Sequence, residues 1–246
     1  MASCTTLIKN HLDTDNRPST VKTFLMDTLQ RLGVEYIDLY QPARVNPNVP
    51  IEETIGAISD MVKAGYVRHV GLSEVGVESI RRAHAVHPIN WLQIEYSLFN
   101  RVVELEILPT LRELGISLSA YGVLSRGLLS GNWSKDRELG SDDVRGTAPR
   151  FTSENIEKNL VLVEALRGIA KEKEVSVSQM AIAWVLSQGD DVIPLIGARK
   201  RSHLNESLGA VELKLSTNDL LRIEEAVPSE LVAGEYYAKP RKKWFV

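Results

Sequence analysis

Apolar positions along this chain fall into two alternating rhythms. After the turn Asp15-Asn-Arg-Pro18, with Ser19 as a capping residue, Val21, Phe24, Leu25, Leu29 and Leu32 recur at helical spacing up to Gly33. Val34–Tyr40 then reads as a strand. The same alternation follows: a helix over 51–64 stopped by Gly65, a strand over 67–72, a short helix over 79–86 and a strand over 91–94. A helix over 105–114 stopped by Gly115 comes next, and then a strand from Ile116 into Tyr121. Beyond a polar, glycine-rich stretch over 131–152, the pattern predicts helices from Ser153 and over 178–187, and a strand over 192–196. Two more helices are predicted, over 202–208 and 218–226. Helices alternating with about five strands mean parallel βαβ units and an α/β class. Thr5–Ile8 reads as an isolated short strand in a poorly patterned segment over 1–17. The main domain is expected over 18–232, followed by a basic tail over 233–246 that reads as mobile.

Composition narrows the function classes. A chain of 246 residues with a net charge of −3 lacks the basic excess of a general nucleic-acid binder. Its single cysteine, Cys4, cannot close an internal disulfide. No apolar run is long enough to span a bilayer, and the first residues lack a signal peptide's pattern, so the expected setting is cytoplasmic. The 131–152 stretch is long enough for a lid or an active-site loop.

In parallel α/β architectures ligands meet the C-terminal ends of strands. Those positions hold Tyr40-Gln-Pro-Ala-Arg44, Ser73-Glu74, Gln93 with Glu95, Tyr121 through Gly127, and Gly197-Ala-Arg-Lys-Arg201. Ser73 and Gln93 have the donors and acceptors that a carboxamide requires. Tyr121 offers a flat wall, and Gly122 and Gly127 allow backbone N–H groups to approach anionic oxygens. Arg199-Lys-Arg201 with Ser202, near a helix start, suits phosphate.

Several segments resemble the aldo-keto reductases in order: Leu32-Gly-Val-Glu-Tyr-Ile-Asp-Leu-Tyr40, Gly65-Tyr-Val-Arg-His-Val-Gly-Leu-Ser73, Gln93-Ile-Glu-Tyr96, Tyr121 through Gly127, and Ile193-Pro-Leu-Ile-Gly-Ala198. The pyridoxal-reductase-like branch is the nearest in character. The resemblance implies a (β/α)8 TIM-barrel fold, here incomplete with the first strands missing, that binds NADP(H) and reduces a small aldehyde or ketone. Ser73 and Gln93 would hold the nicotinamide carboxamide, and Tyr121 would stack on the ring. Gly122, Val123, Leu124, Arg126 and Gly127 would line the pyrophosphate. Ala198, Arg199, Lys200, His203 and Glu206 would surround the 2′-phosphate and adenine. Glu74 and Ser207 stand where the family has asparagines, and Ala43 stands at its catalytic histidine. The family's catalytic lysine has a candidate in Lys9. None of Tyr36, Tyr40, Tyr66 or Tyr96 aligns with its proton-donating tyrosine, so the catalytic set is open. The alternative is a catalytically impaired, cofactor-binding or regulatory relative, as the potassium-channel β-subunits of the family are. No nucleic-acid or membrane partner is expected. The sequence leaves the carbonyl substrate and the oligomeric state open.

Overall fold

A computed structural model describes residues 6–8 and 11–235. The chain starts with a small antiparallel pair, β1 (Thr6–Ile8) and β2 (His11–Asp13). The strand read at Thr5–Ile8 is therefore present, but it has a partner that its weak pattern did not announce. Helix α1 (Pro18–Leu32) opens with proline at its first position, where the missing N–H costs no helical bond. Ser19 lies inside this helix, so the expected cap moves to Arg17. At the far end Gly33 adopts φ 66°, and Gly33 and Val34 donate to the carbonyls of Gln30 and Leu29. This is the paired arrangement that left-handed helix ends use.

Strand β3 (Ile37–Tyr40), helix α2 (Ile51–Lys63), strand β4 (Val67–Ser73), helix α3 (Val77–Val86) and strand β5 (Trp91–Glu95) follow. Next are helix α4 (Ile107–Leu114) and strand β6 (Ser117–Tyr121). Helix α5 (Ser153–Glu172), helix α6 (Val177–Leu186), strand β7 (Val192–Pro194), helix α7 (Arg201–Gly209) and helix α8 (Thr217–Ala226) complete the set. Helices α6 and α8 start earlier than periodicity suggests. Ser176 and Ser216 each close a reciprocal capping box, with Gln179 and Asp219.

Five strands form one parallel sheet in the order β3-β4-β5-β6-β7, each beside its sequence neighbour. Parallel pairing sets Ile37 against Val67 and, further along, Ser73 against Gln93. The chain divides into two compact units. Among the described residues, the first holds the chain up to Ile94 together with Glu106–Leu118; the second holds Glu95–Leu105 and residues 119–235. In the first unit α1 packs on α2 and α2 on α3, burying Leu25, Ile55, Ile58, Ile80 and Leu92. In the second, α5 packs on α6 and α8 around Val163, Leu166, Met180, Val185 and Ile223. There the fully buried Trp184 meets the Tyr96 ring edge-on at 5.5 Å. The 131–152 stretch is folded rather than bare loop. It contains short 3-10 turns at Val144–Thr147 and Pro149–Phe151 and buries Trp133, Ala148, Arg150 and Phe151. No helix among the described residues is long and apolar enough to cross a membrane.

Candidate functional site

In the first unit, the cross-strand register places Ser73 and Gln93 side by side at the C-terminal ends of β4 and β5. Ser73 is buried, and its Oγ accepts an N–H from Arg44 Nη1 at 3.2 Å. Gln93 is half-buried, and its Oε1 accepts from Gln41 Nε2 at 2.9 Å. With that oxygen engaged, what Gln93 offers a ligand is N–H donors. Gly71 makes room for this cluster, since a Cβ there would lie 3.1 Å from Gln41 Oε1 and 3.3 Å from Leu39 Cδ1. Gln41 and Arg44, which the sequence places in the strand-end segment Tyr40–Arg44 without a role, thus join the candidate site. Ala43 is half-buried in the loop after β3, and its carbonyl accepts from Arg44 Nη1 at 2.6 Å. Glu74 is buried with φ 55°, a left-handed conformation that asparagine tolerates better than glutamate. Its N–H donates to the Gln93 carbonyl at 3.0 Å, tying the two strand ends together. Lys9 lies outside the described residues, as does the tail from 236 to 246.

In the second unit, β6 ends at the half-buried Tyr121. The backbone then turns left-handed at Gly122 (φ 70°), Ser125 (φ 46°), Arg126 (φ 52°) and Gly127 (φ 104°). A Cβ on Gly122 would come within 3.0 Å of the buried Glu95 Cγ. Left-handed conformations cost non-glycine residues about 1–2 kcal/mol each, so Ser125 and Arg126 hold them against their own preference. Ser125 is fully buried, and its Oγ has no hydrogen-bond partner among the described residues. Val123 is buried, and Leu124 and Arg126 are half-buried.

Strand β7 lies next to β6, with Leu195 N–H donating to the Ala120 carbonyl at 2.8 Å. Beyond it Ala198, Arg199, Lys200, Arg201 and His203 are all exposed. No ion pair engages the three basic residues among the described residues. Helix α7 has no side-chain cap at its start, at Lys200. Glu206 is half-buried and accepts from Ser178 Oγ at 2.6 Å. The Ser176 and Ser178 hydroxyls hold its carboxylate below the usual range. Ser207 donates its hydroxyl to the His203 carbonyl of its own helix at 2.8 Å. Glu206 shares a cleft of about 410 Å³ with Ser130, Gly131, Asn132, Arg167 and Ser176. The expected adenine-side glutamate is thereby set near the end of the Ser125–Ser130 turn. A larger cavity of about 800 Å³, lined by Arg101, Glu104, Arg150 and Glu224 among others, contains none of the residues expected at the site. Glu104 in that lining accepts the Tyr96 hydroxyl at 2.7 Å.

The chain matches known proteins in sequence and in fold. The sequence profile of the Aldo/keto reductase family matches residues 6–228. The chain is 43% identical over 224 residues to a probable aldo-keto reductase 1 of Glycine max, covering 91% of this chain and 64% of that protein. It is 39% identical over 225 residues to the aldo-keto reductase str7 of Strobilurus tenacellus, covering 90% and 67%. Among solved structures, the glycerol dehydrogenase of Gluconobacter oxydans superposes with a TM-score of 0.86 at 30% identity, over 92% of this chain and 69% of that one. A thermostable aldo-keto reductase in complex with the inhibitor epalrestat gives a TM-score of 0.69 at 26% identity, over 86% and 67%. The chain belongs to the aldo/keto reductase family. It spans about two thirds of the length of these relatives.

Proposed function

We propose that this chain binds NADP(H) and serves the reduction of a small aldehyde or ketone, with its nearest kin in the pyridoxal-reductase-like branch. The observation that carries the reading is the turn after β6. An aromatic at the strand end leads into a left-handed run containing two glycines and a buried serine hydroxyl without a partner among the described residues. The Ser125 and Gly127 N–H groups close the turn on the Gly122 and Leu124 carbonyls, and the Ser125 hydroxyl is left as a donor suited to a pyrophosphate oxygen. The residues fit the cofactor: Ser73 and Gln93 for the carboxamide, and Tyr121 for the face of the nicotinamide. Gly122, Val123, Leu124, Arg126 and Gly127 suit the pyrophosphate. At the adenosine end, the exposed Arg199 and Lys200 with the start of α7 suit the 2′-phosphate, and Ala198, His203 and Glu206 the adenine. When bound, NADPH would supply the hydride that carbonyl reduction requires. The part of this chain in that chemistry is to orient the carboxamide through Ser73 and Gln93 and to screen one ring face with Tyr121.

The test is titration of the 246-residue chain with NADPH, read by tryptophan fluorescence and by melting temperature. Saturable quenching with a raised melting point is expected, because a ligand bound only by the folded state stabilises it. A well-folded sample that does not respond would overturn the reading. A second reading, cofactor binding without turnover, draws on Ala43 at the family's histidine position. An aldehyde panel followed at the NADPH absorbance separates the two: binding without oxidation of NADPH supports the second.

A further inference from the structure

We infer that Arg145 is the residue that positions the left-handed turn, fixing the plane of the Arg126–Gly127 peptide and with it the path of the loop around the Ser125 hydroxyl. The inference rests on the proposed reading of that turn as a phosphate cradle. Arg145 sits in the 3-10 turn Val144–Thr147, which Asp143 caps by accepting the Arg145 N–H at 3.0 Å. The same carboxylate accepts from Nε at 2.8 Å and also from Nη2. The guanidinium is therefore oriented by its own local turn. Its remaining Nη1 reaches back 19 residues to donate to the Arg126 carbonyl at 3.1 Å.

That carbonyl and the Gly127 N–H belong to one planar peptide. The N–H end donates to the Leu124 carbonyl at 2.8 Å, so both ends of the plane are tied, one by the turn itself and the other by Arg145. Packing closes the arrangement. A Cβ on Gly127 would stand 3.7 Å from both Arg145 Nη1 and the Trp133 ring. The Arg145 guanidinium lies 5.0 Å from the centre of that ring, and the buried Trp133 in turn packs on Phe151 at 5.2 Å. The 131–152 stretch, expected from its length to be a lid or an active-site loop, thus acts here as a brace.

The role is geometric rather than electrostatic. Asp143 cancels the charge of Arg145 at contact distance, so the pair adds little net field at the turn. What the guanidinium contributes is a rigid fork whose edges serve Asp143 and Arg126 together, which a lysine ammonium cannot reproduce.

The experiment compares the full wild-type chain with Arg145→Met, Arg145→Lys and Asp143→Asn. Hydrogen exchange without cofactor reads the turn directly. Arg145→Met is expected to speed exchange at the Gly127 and Leu129 amides by about tenfold, the scale of one lost hydrogen bond to a charged donor. Amides in α6 should be unaffected, which separates release of the turn from general destabilisation. NADPH titration should show both Arg145 variants weakened by about tenfold or more. Unchanged exchange at Gly127 and Leu129 would overturn the inference, and so would full recovery of binding by Arg145→Lys. If Arg145→Met fails to fold, Arg145→Lys and Asp143→Asn go through the same exchange assay: faster exchange at Gly127 and Leu129 supports the role of Arg145, and unchanged exchange overturns it. A wild-type chain that ignores NADPH would sink the proposed function, while the exchange data would still decide the role of Arg145.

Discussion

A glycine-to-alanine series separates left-handed conformation from close packing as reasons for glycine in this fold, with the opposite sign predicted at Gly56, where neither applies. Gly56 sits inside helix α2 with nothing within 4 Å of an added Cβ, so Gly56→Ala removes only the flexibility of glycine in the unfolded chain. It should stabilise by about 0.5–1 kcal/mol. Gly33 also has open space, but its φ is 66°; Gly33→Ala meets the left-handed cost alone, about 1 kcal/mol. Gly122 adds contact to conformation. Its φ is 70°, and its Cβ would meet the Glu95 Cγ at 3.0 Å. Glu95 is buried and has little room to retreat, so overpacking adds about 1–2 kcal/mol, for a total of about 3 kcal/mol. At this chain length each kcal/mol moves the melting point by about 2–4 °C. Differential scanning calorimetry should rank Gly56→Ala about 2–3 °C above wild type, Gly33→Ala about 3 °C below it and Gly122→Ala about 9 °C below it. If Gly122→Ala melts with Gly33→Ala, Glu95 yields and close packing is not what requires glycine there. If Gly33→Ala is neutral, the cost assigned to left-handed residues is wrong for this chain.

Other expectations follow from single side chains. Glu174 is exposed with φ 55° just past the end of α5, so Glu174→Gly should raise stability by about 1 kcal/mol, visible as a higher urea midpoint at unchanged slope. Arg44→Met removes the N–H donated to Ser73, leaving that hydroxyl free to rotate away from a carboxamide; NADPH affinity should fall several-fold in isothermal titration, and unaltered affinity would remove Arg44 from the site. Asp143 and Asp219 are held at about 2, Asp143 by hydrogen bonds from Arg145 and Asp219 by those from Lys173 and Ser216. Both are depressed relative to the unfolded chain, so the stability they contribute is full above about pH 4 and is lost as pH falls towards about 2. Melts across that window should steepen downward in wild type and less so in Asp219→Asn.

Much of the architecture was legible because each element carries its own signal. The α1 stripe of Val21, Leu25 and Leu29 is buried as its spacing requires, and Gly33 ends the helix by adopting the conformation that other residues resist. The boundaries that moved did so for local reasons. Ser176 and Ser216 act through hydrogen bonds to residues three positions on, which hydrophobic periodicity does not register. The β1–β2 pair escaped because two three-residue strands hold too few positions to show alternation. The folding of 131–152 escaped because its buried members, Trp133, Ala148, Arg150 and Phe151, follow no period at all.

The candidate site divides along the same line. Ser73 and Gln93 could be named in advance because the parallel register forces strand ends into adjacent positions, whatever the loops do. Arg44 and Gln41 follow strand β3 on a loop whose path no spacing rule fixes, and only the folded chain brings Arg44 to donate to Ser73 and Gln41 to donate to Gln93. Arg145 is further out of reach. Its contact with Arg126 depends on a turn built by Asp143, on an aromatic stacked beneath it, and on two non-glycine residues held left-handed. Such strain persists only where surrounding contacts over-determine it. The Arg126 carbonyl is therefore a place where sequence rules should fail, and strained backbone of this kind is what the proposed cofactor site would require of the turn.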